Sequence, residues 1–274
     1  MRKKVDVAAI IIHFVLWIGI FVVAMPFLWM VLSSFKTLPE FYTFSFWPKK
    51  WSLDAYHTIF AETKYVRWYG NSFLIAIVST ISNLFFASLI GYTLAKQQFK
   101  GNKLIFVIIL STLMVPTELL VIPWYVMSSN FGWTDTYWSI MFPGLIEAFA
   151  VFLMRQFMLG IPDDLLGAAR IDGMSEFGIF IKVVLPQVTQ GLGALAILSF
   201  LGNWNAYLWP VIAVSKERMR TLPVGMSLYS TGDAGGLQWN MIMAMSTMAV
   251  IPILIVYFIF QKRIVEGISL TGLK

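Results

Sequence analysis

The stretch IPDDLLGAARIDGMSEFGIFIKVVLP, Ile161 to Pro186, decides how this chain is read. It places Asp163, Asp164, Arg170, Asp172, Glu176 and Lys182 between two blocks of membrane-grade apolar sequence. Pro162 followed by two aspartates marks a helix start, because proline's fixed φ suits a first turn and carboxylates face the positive end of the helix dipole. That helix runs to about Ile171. Asp172-Gly173 then supplies a turn, since glycine takes positive φ without steric cost. Ser175 caps a second helix, Glu176 to Leu185, on which Met174, Phe177, Ile181 and Val184 share one face, and Pro186 ends it. Small Ala168 and Ala169 let another backbone approach closely. The pattern describes a stiff helix-turn-helix knob that fits a groove on a soluble partner. A re-entrant or interfacial loop lying on the bilayer has the same periodicity.

Working outward, the 274 residues are 58% hydrophobic and 12% charged, against roughly a quarter charged in a soluble domain. This is membrane-protein composition. Crossing a hydrocarbon core takes about 20 apolar residues, and six segments reach or approach that length: Ala8 to Leu32, Ser72 to Ala95, Leu104 to Met127, Tyr137 to Met154, Val188 to Val214, and Asn240 to Phe260. The fold class is all-α membrane protein with six transmembrane helices, forming a single domain over 1–274 with a cytoplasmic loop at 155–187. The first block is longer than a signal-peptide core and reads as a retained signal anchor.

An even number of spans puts both termini on one side. A cytoplasmic N-terminus places most of the 20 basic residues inside, among them Arg2, Lys3, Lys4, Lys96, Lys100, Lys103, Arg155, Lys262, Arg263 and Lys274. The run KERMR, Lys216 to Arg220, opposes that bias. The basic residues are scattered singly and form no stripe, which excludes a nucleic-acid face.

Pro116 and Pro123 fall in the third segment, Pro143 in the fourth and Pro252 in the sixth; they read as bundle kinks or as a gating hinge. Two acids lie within segments, Glu118 and Glu147. A carboxylate at depth costs several kcal/mol unless it faces a cavity or a partner. Glu147, midway along the fourth segment, faces either a watery path or a second subunit; Glu118 reads as paired with a second subunit or lying near an interface. The stretch NWNAYLWP offers Asn203, Trp204, Asn205 and Tyr207, groups that suit sugar hydroxyls and sugar faces; helix packing with Trp near the outer interface fits equally.

Several chemistries have no residues to carry them. There is no cysteine, no Walker-type G-x-x-x-x-G-K-[ST] loop, no nucleophile elbow and no H-E-x-x-H. His13 and His57 lack metal-ligand spacing, and His13 reads as a packed interior residue. The chain is not its own ATPase and does not read as an enzyme.

GAARIDGMSEFGIFIKVVLP resembles the EAA loop of permeases from binding-protein-dependent ABC importers. SSFKT (Ser33 to Thr37), YGNSFLIA (Tyr69 to Ala76), GYTLAKQQFKG (Gly91 to Gly101), MVPTELLVIPWY (Met114 to Tyr125), LMRQFMLGIPDDL (Leu153 to Leu165) and GNWNAYLWP (Gly202 to Pro210) are similar to the carbohydrate branch, in the order of its maltose-type six-span subunit. The resemblance implies a type I importer fold in the bacterial plasma (inner) membrane, importing a carbohydrate. It implies a second homologous permease, an extracytoplasmic sugar-binding protein, and a cytoplasmic ATPase dimer that holds ATP and Mg, none of which binds in this chain. Ala168, Ala169, Arg170, Asp172, Gly173, Ser175, Phe177 and Pro186 then contact the ATPase, while Glu147, Asn203, Trp204, Asn205 and Tyr207 line the substrate path. Gly167 stands where the family usually has the motif Glu, Gln190 replaces a common second Pro and Ala206 a common Asp. Docking therefore relies on shape and the remaining polar groups. From the residues alone, a proton-coupled secondary transporter or channel using Glu147 or Glu118, and a structural scaffold, stay open.

Overall fold

A computed structural model of the chain describes residues 7–43, 45–231 and 237–271, with side chains described from Ile11 to Gln261 within those ranges. The basic N-terminus through Lys4 and Lys274 lie outside them. The described residues are helical, with no strand among them. The helices are α1 (Val7–Ser33), α2 (Asp54–Glu62), α3 (Tyr65–Lys96), α4 (Asn102–Thr112), α5 (Val121–Asn130), α6 (Tyr137–Met141) and α7 (Ala148–Leu159). Then come α8 (Asp163–Ile171), α9 (Glu176–Ile179), α10 (Leu185–Gln187), α11 (Thr189–Trp204), α12 (Leu208–Ala213), α13 (Leu222–Ser230) and α14 (Trp239–Thr271). Three helical stretches are long and apolar enough to cross a membrane: Ile11–Ser33, Tyr65–Lys96 and Trp239–Gln261. Three bent helix pairs raise the number to six if each pair is one span.

The chain groups into two compact units. The first comprises residues 1–65 and 226–250. In α1 the large apolar side chains from Ile11 to Val23 are all exposed; a helix apolar on every face needs lipid or another chain around it. His13 is exposed on that helix and not packed inside, because α1 buries none of the side chains around it. The SSFKT segment anchors the end of α1. Ser34 Oγ shares a 2.7 Å hydrogen bond with the Tyr56 hydroxyl of α2, Phe35 sits 5.5 Å from the rings of Trp51 and Tyr56, and Lys36 Nζ donates to the Ser45 carbonyl at 2.5 Å. Burial pushes the Lys36 amine down from its ordinary value, opposed by Glu40. Tyr65 closes the unit, donating to the Met245 carbonyl at 3.0 Å.

The second unit comprises residues 66–225 and 251–274. Its main core gathers Tyr92 and Leu94 of α3, Met154 and Met158 of α7, Leu166 of α8, Phe180 and Leu195. Close packing of α3 on α7 depends on Gly91, where an added Cβ would lie 2.9 Å from the Arg155 backbone nitrogen. A second core carries the aromatic cluster of Trp124, Phe142 and Trp209. On the loops expected outside, Asp135 accepts hydrogen bonds from the backbone N–H groups of Ser215 and Lys216, each at 2.7 Å. Those bonds, led by the one from Lys216, hold its carboxyl below the usual range.

Three segments read from the sequence as single rods are bent. The third turns 90° between Thr112 and Thr117, where Pro116 offers no N–H and biases Val115 away from helix. In the fourth, Pro143 is absorbed in the first positions of a short 3-10 turn. The 40° break comes just after that turn, between Gly144 and Ala148, and Glu147 therefore occupies the N-cap position of α7, with no side-chain capping bond, instead of lying mid-helix. The fifth ends at Trp204, with Asn205–Tyr207 intervening before α12. Pro186 does not end the second helix of the knob. A wider π turn over Phe180–Val184, with Leu185 N–H bonded to the Phe180 carbonyl, makes room for the proline ring. Helix continues to Gln187, and the chain turns 83° at Val188.

Candidate functional site

The knob begins where the sequence places it. Pro162 is the N-cap of α8 and Asp163 and Asp164 fill its first turn. The helix ends in a Schellman closure: Gly173 at φ +79° donates to the Arg170 carbonyl at 3.0 Å, and Met174 donates to that of Ala169 at 3.1 Å. Ser175 Oγ then accepts from Gly178 N–H at 3.1 Å and caps α9.

What stiffens the knob is a knot of charge. Arg170 Nε donates to Glu176 Oε1 at 2.6 Å, bridging the two helices. Glu176 Oε2 accepts from the Tyr92 hydroxyl at 2.8 Å and from Gln97 Nε2 at 2.6 Å. The hydrogen bond from Arg170, supported by those of Tyr92 and Gln97, holds the Glu176 carboxyl at about 2. A second tie comes from Lys96, whose buried side chain donates to the Ile161 carbonyl at 2.6 Å and to Asp163 Oδ1 at 2.7 Å. The end of α3 thus grips both helices of the knob. The 83° turn sets the second knob helix nearly perpendicular to α11.

The inner side of the knob is core: Leu166, Ala169, Ile179, Phe180 and Val184 are buried. The outer side is not. Ile171 is 88% exposed and Phe177 53%, with Leu165 and Ile181 also open. Ala168, Arg170, Asp172, Gly173, Ser175 and Pro186 lie on this exposed side, whereas Ala169 points inward. The face expected from Met174, Phe177, Ile181 and Val184 splits, because the π turn rotates the register: Val184 is buried while Phe177 and Ile181 look outward.

The substrate-path candidates separate likewise. Trp204 is buried, stacked on Phe200 at 5.7 Å and edge-on to Tyr69 at 5.3 Å. Asn205 and Tyr207 are exposed in the break after α11. Asn203 and Glu147 come close to the same place, since Asn203 lies against Gly144, three residues before Glu147.

The pattern of the family described as binding-protein-dependent transport system inner membrane component matches residues 87–270. The chain belongs to that family. It is 37% identical, over 93% of its length and 92% of the relative's, to an arabinooligosaccharides transport system permease protein of Halalkalibacterium halodurans. It is 30% identical, over 95% and 87%, to a diacetylchitobiose uptake system permease protein of Streptomyces coelicolor. It shares its fold, at a TM-score of 0.81 and 21% identity over 96% of this chain and 99% of the other, with a chain from a bacterial ABC transporter involved in the import of the acidic polysaccharide alginate. As an inner-membrane component of a transport system, this family member is a transporter permease subunit.

Within this permease, sequence reading missed Tyr92, Lys96 and Gln97 as parts of the knob's anchor. The signal was present in GYTLAKQQFKG, but nothing local says that this segment meets a partner many residues downstream.

Proposed function

We propose that the chain is one of two permease halves of an ATP-driven importer for a carbohydrate, an oligosaccharide by the pattern of its relatives. Residues 1–274 act as one permease domain with both termini in the cytoplasm, and 155–187 is its coupling segment. A cytoplasmic ATPase dimer binds ATP and Mg, and its cleft receives the knob. A second, homologous permease completes the path, and an extracytoplasmic binding protein delivers the sugar to the outer loops.

The observation that carries this reading is the knob itself: two exposed apolar side chains, Ile171 and Phe177, on a turn fixed by the Schellman closure and tied by Glu176 and Lys96 to spanning helix α3. A rigid exposed apolar tip suits a protein cleft, and its ties carry a push on the tip to the membrane. ATP favours one arrangement of the ATPase, and the knob passes that bias to the spans. Glu147, Asn203, Asn205 and Tyr207 are the path residues most open to a sugar, and Trp204 supports them from the core. The test is uptake by membrane vesicles. The account expects saccharide transport only when ATPase, companion permease and binding protein are all present with ATP; uptake by this chain alone without ATP contradicts it.

A further inference from the structure

Resting on the permease reading, this inference concerns Glu147. The unwound link between Gly144 and α7 is held by polar side chains from two other helices. Ser82 of α3 donates to the Leu145 carbonyl at 2.8 Å. Asn83 accepts from Glu147 N–H at 2.9 Å and donates to Ser199 Oγ of α11 at 3.2 Å. Asn203 Oδ1 lies so near Gly144 that a Cβ there would come within 2.5 Å. These contacts satisfy the freed backbone and fix the bend. They use the backbone of the link, from Gly144 to Glu147, so the Glu147 carboxylate is not required for them, although the Asn83 side chain reaches it as well.

No ion pair among the described residues includes that carboxylate. The cation on its own helix, Arg155, lies two turns on and is engaged elsewhere, its Nε donating to the Leu94 carbonyl at 3.3 Å and its guanidinium lying 3.9 Å from the Phe106 ring centre. Ile146 within the link and Phe149 at the start of α7 are both exposed, so this side opens to the chain's surface. A carboxylate at membrane depth faces water, a partner cation or a polar ligand. Discontinuous helices near the bilayer midplane are where transporters form substrate sites.

We propose that Glu147 is a charge filter in the translocation path, accepting hydrogen bonds from the hydroxyls of neutral saccharides and repelling acidic ones. A carboxylate is acceptor-only, with room for several donors, which matches a polyhydroxylated ring. Ionised in the path and with no paired cation among the described residues, the same carboxylate opposes a uronate or phosphate.

The chain lacks cysteine, so Asn203→Cys places one thiol beside the link. In the complete complex with cysteine-free partners, its rates with a cationic and an anionic water-soluble thiol reagent are measured, each relative to a free thiol. The cationic reagent is expected to react about tenfold faster. Glu147→Gln should abolish that preference, Glu147→Asp should keep it, and arabinotriose delivered by the binding protein should slow both reactions in the Glu147 background. No reaction with either reagent, or a preference untouched by Glu147→Gln, overturns the proposal. Absence of saccharide uptake by the complex built on the unsubstituted chain instead refutes the importer reading, while the charge preference is read without transport.

Discussion

The hydroxyl of Tyr92, on a spanning helix, donates a 2.8 Å hydrogen bond to the carboxylate of Glu176, at the start of the knob's second helix. Because Tyr92 is buried and Glu176 is also held by Arg170 and Gln97, this bond joins the Lys96 tie in holding the knob against the membrane helix. Tyr92→Phe removes the bond but keeps the ring on Phe180, 5.7 Å away. The expected cost is about 1 kcal/mol in stability, with a larger loss in coupling: ATP hydrolysis by the complex continues while saccharide uptake per ATP falls. Measuring the two rates together tests this, and unchanged coupling would show the bond to be mechanically silent.

The Glu176 network carries its own pH dependence. Its carboxyl sits at about 2 in the fold against an ordinary 4.5, so the folded state favours the charged form. That stabilisation is complete above about pH 4.5 and is lost as pH falls toward 2. Thermal melting of the detergent-solubilised chain should show wild type above Glu176→Gln at pH 7, with the gap shrinking through that window. A gap that stays constant down to pH 3 would contradict the assignment.

Gly173 tests the turn separately from its surroundings. An added Cβ there meets nothing within 4 Å, so any penalty comes from the backbone at φ +79°. Gly173→Val should cost about 1–2 kcal/mol locally and weaken ATPase association while membrane insertion persists. Gly173→Asn, which tolerates the left-handed region, should retain association. Co-purification of the ATPase with each variant distinguishes a turn requirement from a contact requirement.

Glycines 91 and 167 should respond in opposite directions. Gly91→Ala presses a Cβ onto the backbone of α7, which has no rotamer to yield, and should destabilise by about 1–3 kcal/mol. Gly167 lies in the interior of α8 with open space around it, so Gly167→Ala should stabilise the knob by about 0.5–1 kcal/mol. Melting temperatures of the two variants check both signs.

What the sequence revealed was local. The start at Asp163, the turn at Gly173 and the cap at Ser175 each depend on a few neighbouring residues, and each lies where the sequence puts it. The breaks at Thr112–Thr117 and Val188, the placing of Glu147 at the N-cap position of α7 and the inward turn of Val184 depend on how a proline is absorbed by its surroundings. Hydropathy windows average over such choices. The anchor formed by Tyr92, Lys96 and Gln97 is non-local, and the burial of Trp204 depends on Tyr69 and Phe200, which no spacing rule connects to it.

On the proposed function, a cytoplasmic ATPase grips the exposed tip of the knob. A photo-crosslinking residue in place of Phe177, irradiated in the assembled complex within intact membranes, tests it most directly. A covalent adduct to the ATPase subunit is expected, its yield changing when ATP is added. An adduct to the extracytoplasmic binding protein, or none to the ATPase in a complex that still transports, would contradict it.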